Sequence, residues 1–142
     1  MIKIIGLDIG EKRVGVALSE DKRFAFPLKT VAAENIADEI SSLAKSGGIE
    51  IIVAGLPRNI DGTLGFQADR IKAFVNEHLE KYLNIIEYID ETATSIEAEN
   101  IMKREGKDPR KNPELIDAYA AKIILEDYLR EKGVQEKDKN VF

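Results

Sequence analysis

Acidic residues occupy three places in this sequence where hydrophobic segments begin or end. Asp8 closes an apolar segment shortly before Gly10. Asp90 and Glu91 directly follow a second apolar segment, and Asp117 stands near the start of the last one. In an α/β sheet, ligands gather in the crevice beside the carboxyl ends of the strands. We therefore expect these carboxylates to converge on one site.

Carboxylates that are brought together repel each other, which raises their pKa values and destabilises the fold unless a cation lies among them. Mg²⁺ or Mn²⁺ suits such a site because hard divalent ions prefer oxygen ligands. Two such ions about 4 Å apart can activate a water and stabilise the leaving oxygen in phosphodiester cleavage. In this interpretation Asp8 bridges the ions, and Glu91 and Asp117 complete their coordination, which makes these three residues both catalytic and metal-binding.

Each acidic residue also has an ordinary structural explanation. Asp8 and Asp90 are residue types that favour turns. Glu91 and Asp117 are negative charges of the kind that the helix dipole stabilises near a helix start. The prediction of a metal site therefore depends on the joint arrangement of these residues.

Composition limits the classes of protein that this chain can represent. Its 142 residues are 44% hydrophobic and 33% charged, which predicts one compact soluble domain. There is no cysteine, so a metal must use oxygen ligands or the lone His78. No apolar run is long enough to cross a bilayer and no signal-peptide layout opens the chain, so we expect a cytoplasmic location.

The net charge of −5 argues against a protein that coats nucleic acid by bulk attraction. Local contacts with phosphate stay open, although short basic pairs also occur as solvated surface. The candidate nucleic-acid-binding residues are Lys12, Arg13, Arg58, Lys103, Arg104, Arg110 and Lys111.

Hydrophobic periodicity predicts an α/β fold with the element order βββαβαβαα and a mixed five-stranded sheet flanked by helices. Asp8 shares a sheet face with Ile4 and Gly6 because side chains alternate along a strand. The predicted strands cover residues 2–7, 14–18, 24–28, 50–54 and 85–89, and Pro27 places the third at an edge.

Two helices are predicted over residues 34–45 and 64–82. A third is predicted from the capping box at Thr94 and Glu97 to near Gly106. The last helix starts at Asn112 and Pro113 and runs toward Arg130. We expect one nuclease-type domain over residues 1–131 and a frayed tail over residues 132–142.

Four groups of motif residues run through the chain. They are GLDIG at 6–10 with KRVGVA at 12–17, GLP at 55–57 with DGT at 61–63, DE at 90–91, and IDAYAA at 116–121. Together these motifs resemble the YqgF family, also called RuvX, of Holliday-junction-resolvase-like nucleases implicated in maturing pre-16S ribosomal RNA. The resemblance covers nearly the whole chain and implies a ribonuclease H-like fold with Asp8, Glu91 and Asp117 as its acidic triad.

The resemblance implies a metal-dependent endonuclease that acts in 5′-end maturation of pre-16S rRNA. Gly10, Gly55, Pro57, Asp61, Gly62 and Thr63 belong to its structural motifs. The loop over residues 55–63 is either a backbone cradle that brings Arg58 to a phosphate or a plain Asp-Gly turn. The family usually has an arginine after the Asp-Glu pair, whereas this chain has Thr92, so Lys103, Arg104, Arg110 or Lys111 would have to supply that charge.

Two other functions fit parts of the pattern. An actin-like ATPase or sugar kinase has a similar first hairpin, but those enzymes close two such domains around a nucleotide and 142 residues supply one. Cleavage of four-way DNA junctions and non-catalytic RNA binding in ribosome assembly both stay open. So does the choice between a monomer and a homodimer, since a dimer would suit a two-fold junction.

Overall fold

The computed structural model describes residues 2–57, 65–90 and 94–140, with side chains described as far as residue 133. The strands are β1 (Lys3–Ile9), β2 (Arg13–Ser19), β3 (Phe26–Ala32), β4 (Ile49–Gly55) and β5 (Ile86–Ile89). The helices are α1 (Ile36–Lys45), α2 (Phe66–His78), α3 (Ser95–Arg104) and α4 (Ile116–Asn140). Short 3₁₀ helices cover Ala33–Asn35, Glu80–Ile85 and Pro113–Leu115.

The five strands form one mixed sheet in the order β3-β2-β1-β4-β5. β1, β4 and β5 run parallel, whereas β2 is antiparallel to both of its neighbours. This arrangement confirms the predicted α/β fold with five strands. Because parallel strands end at the same side of a sheet, Ile9, Gly55 and Ile89 lie along one edge, which we call the C-terminal edge.

Helices cover both faces of the sheet. Ile5, Leu7 and Ile9 point into the core that is shared with α1 and α2. Ile4 points to the opposite face, into the core shared with α4. A Cβ atom on Gly6 would lie 2.8 Å from Leu125 Cβ, so α4 packs closely on this face. Ile4 and Gly6 therefore lie on the face that packs on α4. This confirms that part of the prediction that Ile4, Gly6 and Asp8 share one sheet face.

β3 is an edge strand, as predicted, but it covers different residues. It starts at Phe26 rather than Phe24 and continues past Pro27 to Ala32. The pairing with β2 shifts register between Val16 and Ala17, and Ala17 lies opposite Pro27. Proline has no N–H group to donate to a regular ladder, and it is tolerated at such irregularities because no N–H is needed there.

Two helices also differ from the prediction at their ends. α2 ends at His78, and the following residues form a 3₁₀ helix rather than a continuation to Tyr82. α4 follows a 3₁₀ turn that starts at Pro113 and then continues to Asn140, past the expected end at Arg130. The segment after Arg130 is rich in Lys, Glu and Gln, which are good helix formers.

The start of α3 agrees with its predicted cap. The backbone N–H of Glu97 donates to Thr94 Oγ1 at 3.1 Å, and the Thr94 hydroxyl donates to Glu97 Oε1 at 3.1 Å. α3 ends at Arg104, two residues before Gly106, whose φ of 81° suits a helix end. Within the described part of the chain, no helix has both the length and the apolarity needed to cross a membrane.

Candidate active site

The hairpin of β1 and β2 carries Asp8 to the C-terminal edge. Asp8 pairs with Gly15 across the two strands. The hairpin closes through the Gly10 N–H, which donates to the Arg13 carbonyl at 2.9 Å. A Cβ atom on Gly10 would lie 2.8 Å from that carbonyl oxygen, so this tight turn requires glycine. The turn thereby fixes where β1 ends and where the Asp8 carboxylate emerges.

Gly15 allows the first turn of α4 to lie directly on β2. A Cβ atom at this position would overlap the carbonyl group of Asp117. Asp117 is the second residue of α4, as expected for an acidic residue early in the last helix. Because Asp8 and Gly15 are cross-strand partners, this close approach places Asp117 beside Asp8.

The two carboxylates interact electrostatically. Burial, and to a smaller extent the neighbouring negative charge of Asp117, together raise the pKa of Asp8 from 3.8 to about 6. No ion pair to Asp8 occurs within the described residues. Two adjacent carboxylates, one of them without a compensating cation, form a donor set of the kind that hard divalent ions prefer.

Asp117 has a cationic neighbour of its own. Arg13 Nε donates to Asp117 Oδ2 at 3.0 Å, with the Arg13 side chain 67% exposed and that of Asp117 28% exposed. Arg13 was predicted to contact nucleic acid, which stays a prediction; in the structure it is paired with Asp117, a predicted metal ligand. Residues 10–13 and Asp117 line an open hollow of about 330 Å³, in which Lys12 is exposed.

The third predicted ligand, Glu91, lies outside the described residues. Its neighbour Asp90 directly follows β5 at the C-terminal edge, which is the edge that Asp8 also reaches. Among the residues that the structure describes, no three acidic or histidine side chains come together as a metal site. The participation of Glu91 therefore stays a prediction.

Several other predictions fall in the segments that are not described. They concern Thr92 and the loop residues Arg58, Asp61, Gly62 and Thr63. The start of that loop is described: Gly55 ends β4, and the next N–H, that of Leu56, donates to the Ile89 carbonyl at 2.8 Å. Pro57 is the last residue of the loop that the structure describes.

Two of the four predicted basic residues near the last helix line a separate depression. Lys103 and Arg104 end α3, and Arg110 and Lys111 stand in the loop that precedes α4. Lys103 and Arg110 line a cavity of about 770 Å³, together with Lys107 and the acidic residues Glu99 and Asp108. Lys107 Nζ lies 5.6 Å from the centre of the Tyr119 ring, so this cavity lies beside the first turns of α4. These four predicted cations thus lie in α3 and in the loop before α4, apart from Lys12 and Arg13.

One residue of the site region, Arg70, was not among the predicted site residues. Arg70 Nη2 donates to the Ile9 carbonyl at 3.1 Å, and its Nε donates to Gln67 Oε1 at 2.9 Å. Its guanidinium therefore lies against the backbone residue that follows Asp8. The sequence feature that could have indicated this contact is the position of Arg70 near the start of a helix that follows the end of a strand. The amphipathic pattern of that helix indicated only which apolar residues it buries.

Comparison with known proteins places the chain in a family. The family described as "RuvX: Holliday junction resolvase" matches residues 2–131. A protein of Chloroflexus aggregans is 43% identical over 89% of this chain and 92% of its own length. One of Thermosynechococcus vestitus is 37% identical over 91% of this chain and 88% of its own. Both are provisionally named pre-16S rRNA nucleases.

A solved structure has a similar fold. T. thermophilus RuvC, determined in complex with a Holliday junction substrate, aligns with a TM-score of 0.50 at 10% identity. The alignment covers 93% of this chain and 96% of that one. At this identity the similarity concerns the fold alone, and it supports the ribonuclease H-like architecture that the motifs implied. From the match over residues 2–131 and the two close relatives, we conclude that the chain belongs to the RuvX family.

Proposed function

We propose that this protein is a divalent-metal-dependent nuclease that hydrolyses phosphodiester bonds. The observation that carries the proposal is that Asp8 and Asp117 lie near each other at the C-terminal edge, where the charge of Asp117 helps to raise the pKa of Asp8. A protein that only binds nucleic acid would gain nothing from carboxylates that repel phosphate. A nuclease gains a place to hold metal ions next to the scissile bond.

The residues present fit Mg²⁺ or Mn²⁺. Asp8 and Asp117 provide oxygen ligands, and Glu91 is the proposed third ligand from the segment after β5. An ion held there supplies a Lewis acid that activates water and stabilises the leaving oxygen. A bound cation would also offset the burial and the Asp117 charge that together raise the pKa of Asp8.

Packing and hydrogen bonds within the chain hold these carboxylates in place. Gly15 lets α4 approach β2 and so holds Asp117 against Asp8. The Arg70 guanidinium holds the Ile9 carbonyl and thereby steadies the end of β1. Lys12 is exposed beside the hollow next to Asp117, where it can contact a phosphate of the substrate.

For the substrate we propose precursor 16S rRNA, cleaved during maturation of its 5′ end. This choice rests on the names of the relatives, which match this chain over most of their own length. A four-way DNA junction is the second candidate, because the family description names Holliday junction resolvase. RNA binding without cleavage is the third.

A cleavage assay with matched variants separates these candidates. Wild type, Asp117→Asn and Glu114→Gln are incubated with precursor 16S rRNA and with a four-way DNA junction, in Mg²⁺ or Mn²⁺. Glu114 is an exposed carboxylate in the 3₁₀ turn just before α4, so its variant controls for the loss of one negative charge nearby.

We expect wild type and Glu114→Gln to cut the RNA, and Asp117→Asn to be inactive but folded. Cleavage of the junction alone would favour the resolvase. Metal-independent cleavage, or RNA binding by wild type without any cleavage, would contradict the nuclease proposal. Loss of the fold in Asp117→Asn would instead make Asp117 a structural residue.

A further inference from the structure

We propose that Arg13 is a phosphate-positioning residue that a divalent ion releases from Asp117. The inference rests on the proposed function, because it requires Asp117 to bind a metal ion. It adds a step that couples metal binding to substrate binding. Its basis is the way in which Arg13 is held.

Among the described residues, Asp117 is the one hydrogen-bonding partner of the Arg13 side chain, which the backbone does not hold. Within the described residues, its Nε donates to Asp117 Oδ2 at 3.0 Å, and neither terminal amino group has a hydrogen-bond partner. The side chain is 67% exposed. An exposed ion pair of this kind is weak, because water screens the charges and the long side chain loses conformational freedom. A stronger cation can therefore displace the guanidinium.

A divalent ion competes directly for the same carboxylate. The guanidinium and the ion both seek Asp117, and their positive charges repel each other at close range. Metal ligands must offer free, deprotonated oxygen atoms. Coordination at Asp117 thus weakens the contact with Arg13, and the contact with Arg13 opposes coordination.

The backbone of Arg13 stays fixed while its side chain is released. Its carbonyl accepts from the Gly10 N–H, and it pairs with Ala32 of β3. The released guanidinium consequently remains at the hollow lined by residues 10–13 and Asp117. Arginine presents a planar fork of donors that matches two phosphate oxygens. A phosphate that enters this hollow lies next to the proposed metal ligands.

This geometry makes metal and nucleic acid bind cooperatively. Without metal, the Arg13 guanidinium is paired with Asp117. With metal bound at Asp117, the guanidinium is available to bind a phosphate. By linkage, each ligand must increase the affinity for the other by the same factor. Removing the guanidinium should therefore have opposite effects on the two ligands. It should strengthen metal binding to the free protein and weaken binding of the substrate.

The first measurement is the affinity of the full chain for Mn²⁺ without nucleic acid, followed by electron paramagnetic resonance of the free ion. The variants are Arg13→Gln, Arg23→Gln and Asp8→Asn. Arg23 is an exposed arginine in the turn between β2 and β3, so Arg23→Gln makes the same charge change away from Asp117. We expect Arg13→Gln to bind Mn²⁺ about fivefold more tightly than wild type. Arg23→Gln should match wild type, and Asp8→Asn should bind weakly.

The second measurement is the RNA concentration that gives half-maximal cleavage at saturating Mn²⁺. Arg13→Gln should require about tenfold more RNA than wild type. Arg13→Lys should recover part of that loss, because lysine restores the positive charge but not the planar set of guanidinium donors. A residue that merely supports the fold would not tighten Mn²⁺ binding when removed.

The outcomes separate the inference from the proposed function. Equal Mn²⁺ affinities in wild type and Arg13→Gln, or weaker binding in Arg13→Gln, would overturn the inference alone. Tighter Mn²⁺ binding with unchanged use of RNA would overturn the phosphate-positioning role. A wild-type protein that binds no Mn²⁺ would overturn the proposed function itself.

Discussion

At the scale of single residues, Asp8 has a charge that its surroundings disfavour. Burial and the nearby Asp117 raise its pKa to about 6, and no described cation pairs with it. Buried charges without partners destabilise a fold, and such groups are found where function requires them. The metal-free protein should therefore be less stable when Asp8 is ionised.

The sign of this effect predicts how stability depends on pH. The folded-state pKa of about 6 lies above the ordinary value of 3.8, so the folded protein holds the Asp8 proton more tightly than the unfolded chain. Stability consequently falls as the pH rises from about 4 to about 6. Asp8→Asn should be more stable than wild type by about 3 kcal/mol at pH 8 without metal, and by only about 1 kcal/mol at pH 4.5.

Urea unfolding at both pH values measures this difference, with Glu20→Gln as the control. Glu20 is exposed where β2 ends, so its substitution should have little effect at either pH. The same difference between Asp8→Asn and wild type at both pH values would show that ionisation of Asp8 is not its cause.

Residue types and their places along the chain predicted Asp8 and Asp117, but not the contacts of their neighbours. The pairing of Arg13 with Asp117 joins positions that are 104 residues apart in the chain. It depends on how α4 packs on β2, which no local pattern specifies. The contact of Arg70 with the Ile9 carbonyl depends in the same way on the packing of α2.

At the scale of elements, the candidate site is made by one close approach between a helix and a strand. α4 lies on β1 and β2 where glycines leave room for it, at Gly6 and at Gly15. Periodicity predicted the strand and helix types because each element buries one face or stripe. It did not predict the end of α4 or the course of β3, since these depend on neighbouring elements.

This packing predicts the effect of a single methyl group. Gly15→Ala should push the start of α4 away from β2 and destabilise the protein by about 1–3 kcal/mol, the usual range for an overpacked contact. It should also separate Asp117 from Asp8, and so lower the affinity for Mn²⁺. Thermal unfolding and Mn²⁺ titration measure the two effects.

Gly133→Ala provides the comparison. Gly133 lies in α4, and a Cβ atom there would have no neighbour within 4 Å. Alanine at this position should stabilise the helix by about 0.5–1 kcal/mol and leave Mn²⁺ binding unchanged. If Gly15→Ala were as well tolerated as Gly133→Ala, the close approach would not be what positions Asp117.

At the scale of the whole molecule, the negative net charge opposes the binding of nucleic acid that the proposed function requires. The chain carries a net charge of −5, so attraction for nucleic acid must come from local groups of cations. The described candidates are Lys12 and Arg13 near Asp117, and the lysines and arginine around the cavity beside α3. Bound divalent ions would add positive charge where the substrate has to enter, so metal should matter for binding as well as for cleavage.

The most direct test of the central claim is the single-turnover cleavage rate of precursor 16S rRNA by wild type and Asp8→Asn, with Mg²⁺ or Mn²⁺ and with a chelator. We predict cleavage by wild type only when the metal is present. Asp8→Asn should be slower by about a thousandfold, since metal ions contribute several kcal/mol to stabilising the transition state. Equal rates in the two proteins, or undiminished cleavage in the chelator, would contradict the assignment of Asp8 as a catalytic metal ligand.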